Sequence, residues 1–133
     1  AVFARHALLA RAVHAAVEGW GEAGALGFFA QDAAARSVSV TTISVPPGTE
    51  VDALRAVARE RFQVAMAGGL GPLAGRAFRI GHLGDFNDLT LAGTLAGVEM
   101  GLGLAGVPHK KGGTQAAMDY LAECARKPAR KAA

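Results

Sequence analysis

One arginine, Arg79, stands inside a segment that otherwise has the composition of a buried strand, RAFRIGHL at 76–83. Side chains alternate between the two faces of a strand, so Arg79 shares its face with Ala77 and Gly81, which are both small. A guanidinium group is planar and pairs through two hydrogen bonds with a carboxylate or a phosphate. The spacing therefore predicts open space around Arg79 in which an anion could bind.

The same residues also allow an interpretation without chemistry. Arg79 could lie on a solvated sheet face and pair with Asp85 or Glu99, and the spacing by itself favours this second interpretation. His82 falls on the opposite face of the strand, where it could be a core histidine or a neighbour of a site. The strand alone leaves both alternatives open.

A glycine-rich loop, GGLGPLAG at 68–75, precedes this strand. Backbone N–H groups of such loops can approach phosphates. The loop lacks both the GxGxxG spacing and the lysine of a P-loop, so a turn between two strands is the better prediction.

Metal binding is not predicted. The histidines have no ligand spacing, and the single cysteine, Cys124, has neither a disulfide partner nor a CxxC partner. A lone cysteine is consistent with a reducing compartment. No Ser/His/Asp or Cys/His triad follows from the spacing either. The four histidines are His6, His14, His82 and His109.

The charge is uneven along the 133 residues, whose formal net charge is +3. Six of the fourteen basic residues follow Val107, and the charges before that point nearly balance. A basic tail without interleaved aromatic residues is typical of a solvated terminus, so no nucleic-acid partner is predicted. The sequence shows no signal peptide and no apolar run that could span a membrane. It begins with alanine inside a helical pattern, as expected of a fragment or a processed chain.

The elements that must position Arg79 form a predicted α+β fold. It has a small three-stranded, mainly antiparallel sheet with helices on one face. Thr49 and Asp52 resemble a capping box for the second helix, and Asn87 or Asp85 can cap the third. Gly93, Gly97 and Gly101 recur at four-residue steps in that third helix and predict close packing. The predicted strands are 37–43, 62–66 and 76–83, and the predicted helices are 1–21, 49–61, 87–104 and 114–126.

The segments MAGGLGPLAGRAFRIGHLGDFNDLTLAGTLAGVEMGLGLAGVPHKKGG at 66–113 and FARHALLARAVHAAVEGWG at 3–21 closely resemble the C-terminal small domain of class V aminotransferases. The nearest group is the serine–glyoxylate and alanine–glyoxylate aminotransferases, which are pyridoxal-phosphate (PLP) enzymes of fold type I. The resemblance implies that Arg79 holds the α-carboxylate of the amino-acid substrate. It also implies that Gly68, Gly69 and Gly71 match the stretch before that strand, with no direct PLP contact. The implied domain spans 1–133: a first helix at 1–21, a sheet and helix core at 37–105, and a C-terminal helix with basic tail at 106–133.

The resemblance also implies a large N-terminal domain that carries the PLP lysine and most cofactor contacts, and that domain is absent here. The lysines of this sequence all lie in its polar C-terminal quarter, so this chain alone is expected neither to bind PLP nor to transaminate, and it has no catalytic residue. They are Lys110, Lys111, Lys127 and Lys131. The tail ends in RKAA rather than a Ser-Lys-Leu signal, which favours the cytoplasm over a peroxisome.

The function implied is the transfer of an amino group from serine or alanine to glyoxylate or another 2-oxo acid, by a homodimeric enzyme of which this is the small domain. The alternative is a free-standing binding or interaction module with the same fold and no chemistry. A coding sequence upstream of Ala1 that includes a PLP-site lysine would favour the enzyme, and a start codon near Ala1 would favour the module.

Overall fold

The computed structural model describes residues 2–82 and 87–127. Within those ranges it has the predicted α+β architecture, and none of its helices has both the length and the apolar character needed to cross a bilayer. In chain order the elements are α1 (Val2–Gly21), β1 (Gly27–Phe28), β2 (Val40–Ser44), α2 (Val51–Phe62), β3 (Ala67–Gly68), β4 (Ala77–Gly81), α3 (Asp88–Leu104) and α4 (Gly113–Arg126).

The sheet has the order β1-β2-β4-β3, and each neighbouring pair is antiparallel. Two of the three predicted strands, 37–43 and 76–83, correspond to β2 and β4, whereas β3 and the two-residue β1 beside β2 lie outside the predicted strands. Thr42 of β2 and Ala67 of β3 lie opposite Arg79 on its two sides. The glycine-rich loop joins β3 to β4, so the prediction of a turn between antiparallel strands is confirmed.

Two predicted strand boundaries differ from the structure. The strand predicted at 62–66 is wrong, because α2 continues to Phe62 and Gln63 then takes a left-handed backbone with a φ of 56°. The N–H of Gln63 bonds to carbonyls in the last turn of α2, so the chain pairs with β4 only from Ala67 onward. The strand predicted at 37–43 runs from Val40 to Ser44.

The core lies against one face of the sheet. Thr41 and Ile43 of β2 alternate with less buried residues, and Phe78 and Ile80 of β4 lie opposite them in register. All four are less than 5% exposed and face the helices. The opposite face, which we call the outer face, carries Arg79.

Two of the three glycines singled out in α3 allow close packing against α2 and the turn that follows it. A β-carbon added at Gly97 would lie 2.5 Å from Cγ2 of Val64, and one at Gly101 would lie 3.5 Å from the β-carbon of Ala58. An added β-carbon at Gly93 would meet nothing within 4 Å. Close packing is therefore confirmed for Gly97 and Gly101, whereas Gly93 faces open space.

The two predicted helix caps have opposite outcomes. Oδ1 of Asn87 accepts a hydrogen bond of 2.8 Å from a backbone N–H in the first turn of α3, so the cap at Asn87 is confirmed. The alternative cap, Asp85, lies outside the described residues. The capping box of Thr49 and Asp52 is wrong, because Glu50 occupies the cap position of α2 and makes no side-chain cap bond.

Glu99 of α3 joins three helices. Its Oε1 accepts hydrogen bonds from Nε1 of Trp20 at 2.7 Å and from N and Oγ1 of Thr114 at 2.9 and 3.1 Å. Its Oε2 accepts one from N of Gly112 at 3.2 Å. Burial raises the pKa of Glu99, but these hydrogen bonds outweigh burial and hold the pKa below its ordinary value. A β-carbon added at Gly113 would lie 2.4 Å from Nε1 of Trp20, so only glycine allows α4 to begin this close to α1.

Candidate functional site

Arg79 lies in the middle of β4 on the outer face, between two paired strands. Its side chain is half-buried, and its Nε donates a hydrogen bond of 2.9 Å to the carbonyl oxygen of Gly68. This bond fixes one edge of the guanidinium group and leaves both terminal nitrogens for another acceptor. A fixed, planar, singly charged group of this kind is suited to bidentate pairing with a carboxylate.

A hollow of about 560 Å³ opens beside Arg79 at the end of the sheet. An added β-carbon at Gly81 would meet nothing within 4 Å, so the predicted open space exists on that side. Ala77, the other small neighbour, is fully buried and contributes no such space. The hollow is lined by Ser39, Val40, Arg55, Ala65, Met66, Ala67, Arg79 and Gly81.

The ion pair that spacing alone favoured for Arg79 is not formed with Glu99. That carboxylate is occupied by Trp20, Gly112 and Thr114. The other predicted partner, Asp85, lies outside the described residues. Within the part of the chain that the structure describes, Arg79 has the Gly68 carbonyl as its hydrogen-bond partner and no carboxylate.

A second arginine, Arg55 of α2, lines the same hollow and was not singled out from the sequence. Its Nε donates to the carbonyl oxygen of Met66 at 2.9 Å, and its Nη1 lies 3.2 Å from Oδ1 of Asp52. The sequence alone suggests an ordinary exposed helix position, three residues after an aspartate. What brings Arg55 to the site is the left-handed turn after α2, which carries residues 64–66 back along the helix.

The glycine loop shapes the backbone around Arg79. A β-carbon added at Gly69 would lie 2.2 Å from the carbonyl oxygen of Leu73, so the loop can close only with glycine there. Gly71 has a φ of 53°, in the left-handed region that favours glycine. The loop therefore places the Gly68 carbonyl at the Nε of Arg79.

His82 is a core histidine. Its side chain is fully buried, and its Nε2 lies 2.9 Å from Oγ1 of Thr41, with which it shares a hydrogen bond. Burial lowers the pKa of His82 to about 4, so the ring is neutral at physiological pH. Of the two alternatives that the sequence left open for His82, the structure therefore favours the core histidine.

No lysine among the described residues is buried in a way that suits covalent attachment of PLP. Covalent attachment of PLP requires a lysine beside the cofactor, whereas Lys110, Lys111 and Lys127 are all exposed and Lys110 pairs with Glu22. Lys131 lies outside the described residues. Across the two described ranges, no three histidine, cysteine, aspartate or glutamate side chains are grouped to hold a metal.

The chain is similar to two aminotransferases over nearly all of its length. It is 41% identical to the serine–glyoxylate aminotransferase of Methylorubrum extorquens over 123 residues. Those residues make up 92% of this chain and 30% of that protein. It is 37% identical to the L-aspartate–glyoxylate aminotransferase of Paracoccus denitrificans over 133 residues. That alignment covers 99% of this chain and 33% of that protein. The chain thus spans about a third of the length of the curated relatives it matches.

The fold is also similar to a solved structure. The crystal structure of pyridoxamine–pyruvate aminotransferase from Mesorhizobium loti superposes with a TM-score of 0.82 at 31% identity, covering 92% of this chain and 31% of that chain. No protein-family model matches the sequence.

Proposed function

This chain belongs to the class V aminotransferase family, whose C-terminal domain it matches in sequence and fold, and from that premise we propose that it serves a PLP-dependent transamination. Residues 1–133 form the small domain. The complete enzyme transfers an amino group from serine or alanine to glyoxylate or another 2-oxo acid. The similarity to the serine–glyoxylate aminotransferase of Methylorubrum extorquens supports serine as a donor and glyoxylate as an acceptor.

The observation that carries the proposal is the guanidinium of Arg79. It is held by the Gly68 carbonyl, faces a hollow, and has no carboxylate partner within the described residues. The α-carboxylate of an amino acid supplies the missing partner, and two parallel hydrogen bonds fix its orientation. Fixing the carboxylate also fixes the Cα–H bond that must be broken, and positioning of this kind can lower a barrier by several kcal/mol.

The cofactor belongs to another domain in this proposal. PLP supplies the electron sink for transamination, and the large domain of the family carries the lysine that binds it. The chain alone is therefore inactive. The proposed enzyme acts in the cytoplasm and, in keeping with the family resemblance, as a homodimer.

The test replaces Arg79 in the enzyme that joins this domain to its PLP-binding domain. Arg79→Ala is expected to lower kcat/KM for serine and alanine by about a hundredfold or more, because the substrate is no longer oriented. PLP content, measured by absorbance, should not change. Arg79→Lys should recover only part of the loss, because an ammonium group lacks the bidentate geometry.

Arg76→Ala is the matched control, since Arg76 is an exposed arginine three residues earlier. It should keep the wild-type efficiency. A kcat/KM of Arg79→Ala close to that of Arg76→Ala would overturn the proposed role and leave the non-catalytic module as the better account.

A further inference from the structure

The hollow at the end of the sheet is bordered by two guanidinium groups, and the proposed transamination uses only one of them. Arg79 and Arg55 are held in the same way: the Nε of each donates a 2.9 Å hydrogen bond to a main-chain carbonyl, that of Gly68 or of Met66. These carbonyls are two residues apart. Both arginines line the hollow, and Nη1 of Arg55 also lies 3.2 Å from Oδ1 of Asp52.

Both guanidinium groups lie near Gly68, but at different atoms of that residue. A β-carbon added to Gly68 would lie 3.2 Å from Nη1 of Arg55, while the Gly68 carbonyl oxygen lies 2.9 Å from Nε of Arg79. With standard bond lengths, these contacts set an upper limit of about 12 Å on the distance between the terminal nitrogens of Arg55 and Arg79.

A four-carbon diacid fits within that limit. Its two carboxyl carbons lie about 4 Å apart when it is extended, and a hydrogen bond of about 3 Å at each end brings the span to roughly 10 Å. The hollow, at about 560 Å³, is large enough for such a molecule.

The guanidinium group of Arg55 is available for such a ligand, because its carboxylate neighbour holds it only weakly. Its carboxylate neighbour, Asp52, has a side chain that is 94% exposed, and an ion pair this exposed contributes little and is readily exchanged. Arg55 itself is 37% exposed. Within the described residues, Asp52 is the only carboxylate within ion-pair distance of either Arg55 or Arg79.

We propose that Arg55 is a second carboxylate-binding residue, which extends the donor range of the enzyme to dicarboxylic amino acids by holding their distal carboxylate while Arg79 holds the α-carboxylate. The inference rests on the proposed function, because it places Arg55 in the same substrate site. It makes Arg55 a determinant of specificity rather than a residue needed for every donor.

The first experiment measures kcat/KM with L-aspartate and with L-serine in the enzyme that includes the PLP-binding domain. Arg55→Gln is expected to lose about tenfold more efficiency with aspartate than with serine, mainly through KM. Arg55→Lys should restore part of the selectivity because it keeps the charge. Asp52→Asn should shift selectivity toward aspartate, since it removes the carboxylate that competes with the ligand. An equal loss with both donors would assign Arg55 a purely structural role and overturn the proposal.

Arg59→Gln is the matched control, because Arg59 is an exposed arginine one turn further along α2. Its aspartate-to-serine ratio should equal that of the wild type. A change in that ratio as large as that of Arg55→Gln would also overturn the proposal, because any charge on the helix would then suffice.

The second experiment needs no turnover. In the 15N-labelled chain, titration with succinate should shift the Nε–Hε signals of both Arg55 and Arg79, and acetate should shift that of Arg79 alone. Arg55→Gln should lower the affinity for succinate to that for acetate. Equal wild-type affinities for the two acids would overturn the role of Arg55. A wild-type enzyme without turnover of any donor would overturn the proposed function alone, and the titration would then decide the role of Arg55.

Discussion

Replacement of Glu99 tests how the three helices are held together. Its carboxylate accepts four hydrogen bonds, from Nε1 of Trp20, from N and Oγ1 of Thr114 and from N of Gly112. In Glu99→Gln the amide oxygen can still accept from Trp20 and Thr114, but the amide nitrogen faces the N–H of Gly112. A hydrogen bond to a charged group contributes about 1 kcal/mol more than a neutral one, and one bond is lost outright. For a half-buried group, we expect the free energy of unfolding to fall by about 2 kcal/mol.

Glu99→Ala should cost more. It leaves the Nε1–H of Trp20 without a partner, although this side chain is fully buried, and an unsatisfied buried donor costs about 1–3 kcal/mol. The total loss should then be about 4 kcal/mol. Urea denaturation at about pH 7 measures both losses. The fluorescence of Trp20, the one tryptophan of the chain, reports the unfolding directly.

The pH dependence of stability distinguishes the contribution of the Glu99 charge from that of its packing. The pKa of Glu99 is lowered in the folded state, so its stabilisation is present above the ordinary carboxyl pKa of about 4.3 and is lost as the pH falls through the lowered value. The difference in the free energy of unfolding between wild type and Glu99→Gln should therefore shrink as the pH falls below the ordinary carboxyl pKa. Glu60→Gln, an exposed control on α2, should stay within about 0.5 kcal/mol of wild type throughout. A Glu99→Gln variant as stable as Glu60→Gln, or a difference that persists unchanged in acid, would refute the reasoning.

Two further predictions concern the core. Gly97→Ala should lower the free energy of unfolding by about 1–2 kcal/mol, because the new methyl group overlaps Val64. Gly93→Ala should raise it by up to about 1 kcal/mol, because its methyl group meets nothing. Equal shifts of the two variants in thermal denaturation would contradict this. The pKa of His82 is lowered to about 4 in the folded state. The free energy of unfolding should therefore be highest above the ordinary histidine pKa of about 6.5, and it should fall by about 3 kcal/mol as the pH falls toward 4. His82→Gln keeps a partner for Thr41 and should flatten urea-measured stability across this range, so parallel pH profiles would count against the assignment.

The sequence predicted the elements whose signals are local. Asn87 is a strong cap, and the alternation around Arg79 identified β4 and its buried face. β1 could not be predicted, because two residues carry no periodicity and the strand exists only through its pairing with β2. The strand predicted at 62–66 failed because Gln63, which has no glycine-like signal, takes the left-handed conformation that ends α2.

The candidate site was predicted only in part, for a similar reason. The strand pattern drew attention to Arg79, but Arg55 approaches the hollow through contacts between residues 11 positions apart. Likewise Glu99, which the spacing offered as a partner of Arg79, is engaged by Trp20, 79 positions away. Long-range contacts of this kind depend on how the helices pack, and no local pattern encodes them.

The sheet order has a consequence for how the chain folds. β3 and β4 are joined by a short loop, so the hairpin that brings the Gly68 carbonyl to Arg79 closes a small loop at little entropic cost. The central pair, β2 with β4, joins segments separated by all of α2 and that hairpin, and such non-local pairing is slow. Arg79 can thus be anchored early in folding. The wall of the hollow formed by Ser39 and Val40 arrives only when the central pair closes, so the anion site is completed in one of the late steps.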